Sequence, residues 1–352
     1  MRPRTLTTPA LLASAAVAST LIAPTAVATE GEELNALTAK LSYSALKNWD
    51  IVLPDERWLD AEEGIGIPHL GSEGFKSEKV GQLKLEVDTN DDGRLDKDVK
   101  GSDGFLKLQS RKDGETFQYA IRLRYEDNFE FSVGCAMTGK IGGTLIKLID
   151  QDLNGRYDDF GTDAMVIGSG KGATLLSKVV NLDGELFDFG VNAEGTEITA
   201  TPYTGEVGMI DVQSRFDSKG KLVAAVFEGT SGDVYFNPAR STKPLAVPAG
   251  EYRFRSGYVE KGAETAMMKG GKMSPLNVKP GATRTVEWGG PLVAEFDVRR
   301  EEELVVVQPN VNFYGRMGEE YHSFTPNAKS PKIIVMDKRT KKEVVSGRFG
   351  GC

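Results

Sequence analysis

The sequence predicts an all-β protein made of antiparallel β-sandwich domains. From residue 80 onward, short runs of apolar and β-branched residues are separated by Gly, Asp and Asn, which is typical of strands joined by tight turns. Forty glycines beside a hydrophobic content of 39% indicate many turns rather than long helices or disorder. The runs recur at a spacing that favours a sandwich or barrel over alternating strands and helices.

The first elements differ from the rest. Segment 32–49 has leucines every three to five residues, at Leu34, Leu37, Leu41 and Leu46. This spacing predicts an amphipathic helix. The acidic stretch 55–64 that follows ends in glycines, and it predicts an ordered loop.

A period of two then predicts a series of strands. In the first two thirds of the chain they are 80–87, 105–108, 117–123, 129–133, 144–149, 164–167, 175–180, 186–191, 198–200, 208–216, 222–227 and 234–236. Toward the C-terminus they are 292–298, 304–311, 332–336 and 344–349.

Closely spaced prolines at Pro238, Pro244 and Pro248 suit a linker. They predict an N-terminal β domain at 29–240 and a C-terminal β domain at 241–352. Within the second, the turn from Pro248 through Gly250 to Tyr252 resembles the strand-opening turns of immunoglobulin-like and prealbumin-like modules, and the resemblance covers about residues 245–300. It implies a module of that kind at the C-terminus.

The first 28 residues predict a secretory signal peptide. Arg2 and Arg4 precede an apolar, small-residue stretch that ends in Ala26-Val27-Ala28, and this is the three-part pattern of a cleaved leader. Loss of the two arginines moves the formal net charge from −8 to −10. This acidic balance argues against nucleic acid and anionic membranes as partners. No other apolar run is long enough to cross a bilayer, so we expect a product outside the cytoplasm, either periplasmic, secreted or at the cell surface.

Two acidic loops carry the most explicit chemistry. Residues 87–96 and 149–158 both read apolar-D-x-[DN]-x-[DN]-G-R-apolar-D. This spacing directs alternate side-chain oxygens toward one point, and the glycine permits the sharp turn between them. Such an oxygen set suits a hard cation, and it makes Ca²⁺ the expected cofactor.

The loops resemble the calcium loops of EF-hands, dockerins and thrombospondin type 3 repeats over about ten residues each. The resemblance implies the ligands Asp88, Asn90, Asp92, the Arg94 carbonyl and Asp96, and in the second copy Asp150, Asp152, Asn154, the Arg156 carbonyl and Asp158. The bidentate Glu that EF-hands place twelfth is replaced by Val99 and Gly161.

Another carboxylate must therefore close each loop. The candidates are Asp98 or Asp103 in the first loop and Asp159 or Asp163 in the second. Asp103 and Asp163 are favoured because each is followed by a small and then an apolar residue, which predicts calcium loops over 87–103 and 149–163 that join strands rather than helices. The alternative is that Asp, Asn and Gly form ordinary turns here without a metal.

The remaining residues give little support for an enzyme. With only two histidines, a zinc site built on several imidazoles is not available. Cys135 and Cys352 either pair or remain free thiols. We therefore expect a calcium-binding structural or adhesive protein of the cell envelope with a cell-surface protein or glycan as partner. The alternatives are a carbohydrate- or ligand-binding module that uses Trp58, Tyr203 or Trp288, and a secreted hydrolase with two carboxylates near Asp55–Glu63.

The leader gives a first testable prediction. If Ala26-Val27-Ala28 is a cleavage site, the exported protein begins at or within a few residues of Thr29. Intact-mass analysis of the exported product measures this directly, and an exported chain that retains Met1 would contradict it.

Overall fold

Nearly all of the regular structure is β-strand, which confirms the predicted all-β class. The computed structural model describes residues 35–70, 74–112, 114–302, 304–308, 311–326 and 332–348. Its regular elements there are 31 strands and two short 3-10 helices, Pro68–Leu70 and Pro238–Arg240. The predicted leader and Cys352 lie outside the described residues. Leader cleavage and a disulfide between Cys135 and Cys352 stay predictions.

The strands up to residue 202 are β1 (Leu37–Lys40), β2 (Ser42–Ala45), β3 (Leu59–Asp60), β4 (Ser77–Lys79), β5 (Lys84–Val87), β6 (Lys97–Lys100), β7 (Asp103–Lys112), β8 (Glu115–Tyr125), β9 (Phe129–Val133), β10 (Cys135–Ile141), β11 (Thr144–Ile149), β12 (Ala164–Ile167), β13 (Thr174–Leu175), β14 (Val179–Leu182), β15 (Glu185–Val191) and β16 (Glu197–Pro202).

The later strands are β17 (Val207–Asp211), β18 (Lys221–Gly229), β19 (Tyr235–Phe236), β20 (Leu245–Pro248), β21 (Gly250–Lys261), β22 (Glu264–Lys269), β23 (Leu276–Val278), β24 (Thr283–Thr285), β25 (Val293–Glu295), β26 (Val298–Glu301), β27 (Leu304–Val307), β28 (Asn312–Tyr314), β29 (Glu320–Thr325), β30 (Lys332–Met336) and β31 (Glu343–Arg348).

The helix predicted for 32–49 is wrong. In the described part of that segment, β1 pairs with β16 and β2 pairs with β10. The side chains of Leu37, Ala39 and Leu41 point alternately inward, with polar residues exposed between them. A spacing of four between leucines fits a strand as well as a helix, and here pairing with two existing sheets decides the conformation.

The first acidic loop belongs to a three-stranded sheet with the order β4-β5-β6, and two other sheets position the second acidic loop. One of these two sheets has the order β3-β9-β8-β7, and the other has the order β13-β12-β11-β10-β2. Their facing side chains share one core, which includes Tyr119 of β8, Cys135 of β10 and Ile149 of β11. The end of β11, where the second acidic loop begins, therefore lies against β8.

The boundary predicted at residues 240 and 241 falls within one large sheet. β18 before it pairs along its length with β21 after it, and both contribute to a core around Trp288. Whether 29–240 and 241–352 fold as separate domains stays a prediction. The Pro248–Tyr252 turn opens β21, and the Tyr252 hydroxyl donates a 2.8 Å hydrogen bond to the Pro248 carbonyl.

Trp288 fixes this second core. Its side chain is fully buried, its ring lies 5.1 Å from that of Phe254, and its Nε1 donates to the Val212 carbonyl at 2.9 Å. A buried indole that reaches a backbone acceptor ties two loops to the sheet.

We predict that Trp288→Phe lowers the free energy of unfolding by about 1–3 kcal/mol, because it leaves the Val212 carbonyl buried without a donor. Urea denaturation measures the change. Trp58→Phe serves as the control because its ring is only partly buried; an equal loss in both variants would contradict the assigned role of Trp288.

Candidate metal centre

The two acidic loops begin with the same backbone turn. Counted from the first aspartate, Asp88 or Asp150, the fourth residue of each loop has a positive φ, which is 60° at Asp91 and 66° at Leu153. The glycine at the sixth position follows with 83° at Gly93 and 85° at Gly155. Glycine adopts this conformation without steric cost, which explains its place in both copies.

The first aspartate holds the turn in both loops. The Asp88 carboxylate accepts from the Gly93 amide at 2.8 Å, and the Asp150 carboxylate accepts from the Gly155 amide at 2.6 Å. The fifth residue then accepts from the amide of the arginine two positions on, at 2.9 Å for Asp92 and 2.6 Å for Asn154. Both loops join neighbouring antiparallel strands, β5 to β6 and β11 to β12.

The loops differ in how they end. In the first loop, the chain enters β6 directly after Asp96. Both carboxylate oxygens of Asp96 accept hydrogen bonds from Thr89, one from its amide at 2.7 Å and one from its hydroxyl at 2.9 Å. In the second loop a further turn follows, in which the Asp163 amide donates to the Asp159 carbonyl at 2.9 Å. This turn brings Asp163 back beside Asp150.

Asp150, Asp152 and Asp163 form a cluster that could hold a metal ion. Each offers one carboxylate oxygen, and these oxygens lie within 4.8 Å of one another. The carboxylates of Asp150 and Asp163 are buried, with relative exposures of 0% and 1%. No other group of three or more His, Cys, Asp or Glu residues with metal-binding proximity occurs within the described residues.

Two observations show that this cluster fits a cation. One buried carboxylate oxygen, Oδ1 of Asp152, has no hydrogen-bond partner among the described residues. An unpaired buried oxygen of this kind costs free energy unless a ligand occupies the space before it. All three donors are carboxylates, which are the ligands of hard cations.

Burial and mutual repulsion disfavour the ionised cluster. Desolvation, with a smaller contribution from Asp152, raises the pKa of Asp150 to about 7. Desolvation and then the neighbouring Asp150 charge raise the pKa of Asp163 to about 9. Protons or a cation must therefore neutralise the cluster in the folded protein.

The other predicted ligands of the second loop have different partners. Asn154 lies at the rim, where its Nδ2 donates to Asp152 at 3.1 Å and to Asp159 at 2.7 Å. Asp158 forms a two-pronged ion pair with the Arg156 guanidinium, at 3.0 and 2.8 Å. Asp158 is therefore engaged within the loop and outside the three-carboxylate cluster.

The structure does not bring the first-loop carboxylates into such a cluster. Asp103 opens β7 on the far side of β6, where it accepts from the Ser102 hydroxyl at 2.8 Å. The Lys76 ammonium donates to the Gly93 carbonyl at 3.1 Å. Asp98 pairs with Lys84 at 3.2 Å. The Asn90 side chain accepts from the Asp92 amide at 3.2 Å, so the loop is held by its own hydrogen bonds.

Two residues that the sequence analysis did not select complete the second site. The Tyr119 hydroxyl of β8 donates to the Asp150 carboxylate at 2.7 Å. Gln151 is buried and joins Asp55 to Thr162, accepting from the Asp55 amide at 3.1 Å and donating to the Thr162 carbonyl at 2.8 Å. Tyr119 lies 31 residues away from Asp150 in no motif, so no local signal could have identified it.

Several of the residues considered for sugar binding and hydrolysis make other contacts, and both alternatives stay predictions. Trp288 is in the core, and the Trp58 ring is covered by Arg124 with the guanidinium 4.3 Å from its centroid. Acidic residues of the 55–63 arm are paired, including Glu62 with Lys79 at 2.7 Å and Asp55 with Arg255 at 2.6 Å.

Comparison with protein-family models, with curated proteins and with solved structures gave no match to this chain. Within the described residues, no helix has the length and apolar character needed to cross a membrane. The metal centre is therefore interpreted from its own geometry.

The raised pKa values give a testable pH dependence for the metal-free protein. An unfolded Asp has a pKa of about 3.9, whereas burial raises the pKa of Asp150 to about 7 and the pKa of Asp163 to about 9 in the folded protein. Between these limits the folded state binds more protons than the unfolded state, so stability falls as pH rises.

We predict that the free energy of unfolding in chelator decreases from pH 5 to pH 9 more steeply for the wild type than for Asp163→Asn. The amide of the variant cannot take up the proton that the Asp163 carboxylate binds in the folded state. Urea titrations at intervals across this range measure both slopes. Identical slopes would show that Asp163 is not held protonated in the fold.

Proposed function

We propose that Ca²⁺ occupies the Asp150–Asp152–Asp163 centre and that the protein is a calcium-stabilised structural or adhesive protein of the cell envelope. The observation that carries this proposal is the set of three clustered carboxylates with two buried side chains and one unpartnered buried oxygen. Calcium accepts six to eight oxygen ligands in a flexible geometry, including backbone carbonyls and water. A bound Ca²⁺ neutralises the carboxylates of the cluster in place of the protons that Asp150 and Asp163 take up without a metal.

An all-oxygen donor set favours Ca²⁺ over zinc or copper, which prefer imidazole and thiolate. Cys135 lies in the same core, but its thiol is buried and free and contacts the Tyr157 hydroxyl at 3.9 Å. Burial raises the pKa of this thiol to about 12, so it remains protonated and is a poor metal ligand.

A structural role for the ion follows from the position of the loop. Residues 150–163 connect β11 to β12, and Tyr157 and Leu153 on the loop are buried in two different cores. Fixing the loop therefore fixes the packing between these cores. The extracellular setting rests on the leader pattern in residues 1–28, and calcium loops of extracellular modules have a Kd of about 10⁻⁴ to 10⁻³ M.

The predicted effect of calcium is a higher melting temperature. A ligand that binds only the folded state and is present at up to a hundredfold over its Kd adds about 1–3 kcal/mol. For a chain of this size that raises the melting temperature by about 2–10 °C. A thermal melt in chelator and in millimolar calcium measures the shift, and calorimetry measures the stoichiometry, for which we expect one strong site.

Asp152→Asn is the test variant, since Asp152 is the least buried of the three ligands and the change keeps its shape. Its matched control is Asp92→Asn in the first loop, where no three-carboxylate cluster is formed. We expect Asp152→Asn to lose most of the calcium shift and Asp92→Asn to retain it. If calcium leaves the wild-type melting temperature unchanged, or if Asp152→Asn responds as strongly as the wild type, the calcium proposal is wrong.

A further inference from the structure

A cavity of about 520 Å³ lies directly beside the metal centre. It shares two residues with the surroundings of that centre: Tyr119, whose hydroxyl bonds to Asp150, and Gly155, whose amide bonds to the same carboxylate. The other side of the cavity is formed by residues of β2, β10 and the 194–196 turn. Its volume is within the usual range for small-molecule sites.

Four aromatic side chains contribute to the wall of this cavity, and Tyr43 and Phe117 are the more exposed of them. The four come from three separate parts of the fold, and they are Tyr43, Phe117, Tyr119 and Tyr157. The face of an aromatic ring carries partial negative charge, and it attracts cations, above all quaternary ammonium groups. The Tyr43 hydroxyl itself is buried beneath the wall and has no hydrogen-bond partner among the described residues, so the cavity meets the ring of Tyr43 rather than its hydroxyl.

The charged side chains that line the cavity are acidic. Glu115 and Glu194 line the cavity and are exposed at its rim. None of the lining residues described is a lysine or an arginine, and His69 is the one imidazole among them. Arg156 is near enough to Glu194 to interact with its charge, whereas Glu115 has no ion pair among the described residues. Two carboxylates at the mouth therefore favour a positive ligand over phosphates and carboxylates.

We propose that this cavity binds a small organic cation with an alkylated ammonium group. The aromatic wall contacts the methyl groups and the charge, and Glu115 and Glu194 supply the opposite charge at the mouth. The site is separate from the metal centre and does not require its occupancy. The metal and the cation are therefore measured in separate experiments, and either proposal can fail without the other.

Choline and its neutral isostere 3,3-dimethylbutan-1-ol test the proposal on the full chain. The two have nearly the same shape, so a difference in affinity reports the charge. We expect choline to bind at least about tenfold more tightly, as one desolvated cation–π contact gives. Calorimetry or NMR titration at fixed calcium and matched ionic strength measures both constants. No saturable binding of choline at millimolar concentrations, or equal affinities for the two probes, would overturn the proposal.

Variants locate the binding. Glu115→Gln and Glu194→Gln each keep the shape of the mouth and remove one charge, and we expect each to weaken choline several-fold with little effect on the isostere. Phe117→Leu keeps an apolar side chain but removes a ring, and it should weaken choline more. Glu185→Gln is the control, since Glu185 is exposed and does not line the cavity.

Choline affinity that is unchanged in Glu115→Gln, Glu194→Gln and Phe117→Leu would place the binding elsewhere and overturn the assignment. Glucose is the third probe. Saturable binding of glucose that Phe117→Leu abolishes, without binding of choline, would identify a neutral sugar site and also contradict the cation proposal.

Discussion

The constraint on which this part of the molecule depends is the burial of carboxylates that have no basic partner. Asp150 and Asp163 are within the core, and the groups that hold them are a hydroxyl and backbone amides rather than lysine or arginine. An isolated buried anion is too costly to persist, so the site must take up a proton or a cation. The raised pKa values of both groups and the suitability of the cluster for a metal ion are two results of the same desolvation.

The duplicated loop shows how little separates an acidic turn from a carboxylate cluster that could hold a metal ion. Asp88 and Asp150 each accept a hydrogen bond from the amide of the glycine five residues later, and both loops have positive φ at the same two positions, so the shared sequence pattern determines a similar turn in both copies. The loops differ in whether the chain comes back to the first aspartate after the turn. Asp163 comes 13 residues after Asp150 through one additional turn, whereas Asp103 comes 15 residues after Asp88 with a complete strand, β6, between them. A strand carries the chain away from the loop at about 3.3 Å per residue, and so Asp103 cannot close the first loop in this fold.

Part of the strand pattern was predictable because it depends on local alternation, although the prediction missed strands such as β10, β21 and β29 and extended 80–87, 208–216 and 304–311 beyond the observed β5, β17 and β27. The predicted strands 129–133, 144–149, 164–167 and 332–336 match the structure to the residue. Segment 32–49 was not predictable in the same way, since its conformation depends on pairing with β16 and β10, which are distant in sequence. The same limit applies to the site. Asp150, Asp152 and Asp163 are visible as a motif, but Tyr119 reaches them only because β8 packs against the end of β11.

Tyr119 also connects the metal centre to the cavity, because one ring has its hydroxyl on Asp150 and lines the cavity wall. With the metal absent, Asp150 and Asp163 take up protons because burial raises their pKa values. A bound divalent ion replaces these two protons, so the charge behind the ring changes little, while the ion fixes the loop that supplies Gly155 and Tyr157 to the wall. By linkage, any effect of calcium on the affinity for the organic cation must equal the effect of the organic cation on the affinity for calcium. The shared ring therefore makes the two adjacent sites capable of communicating while each keeps its own ligand chemistry.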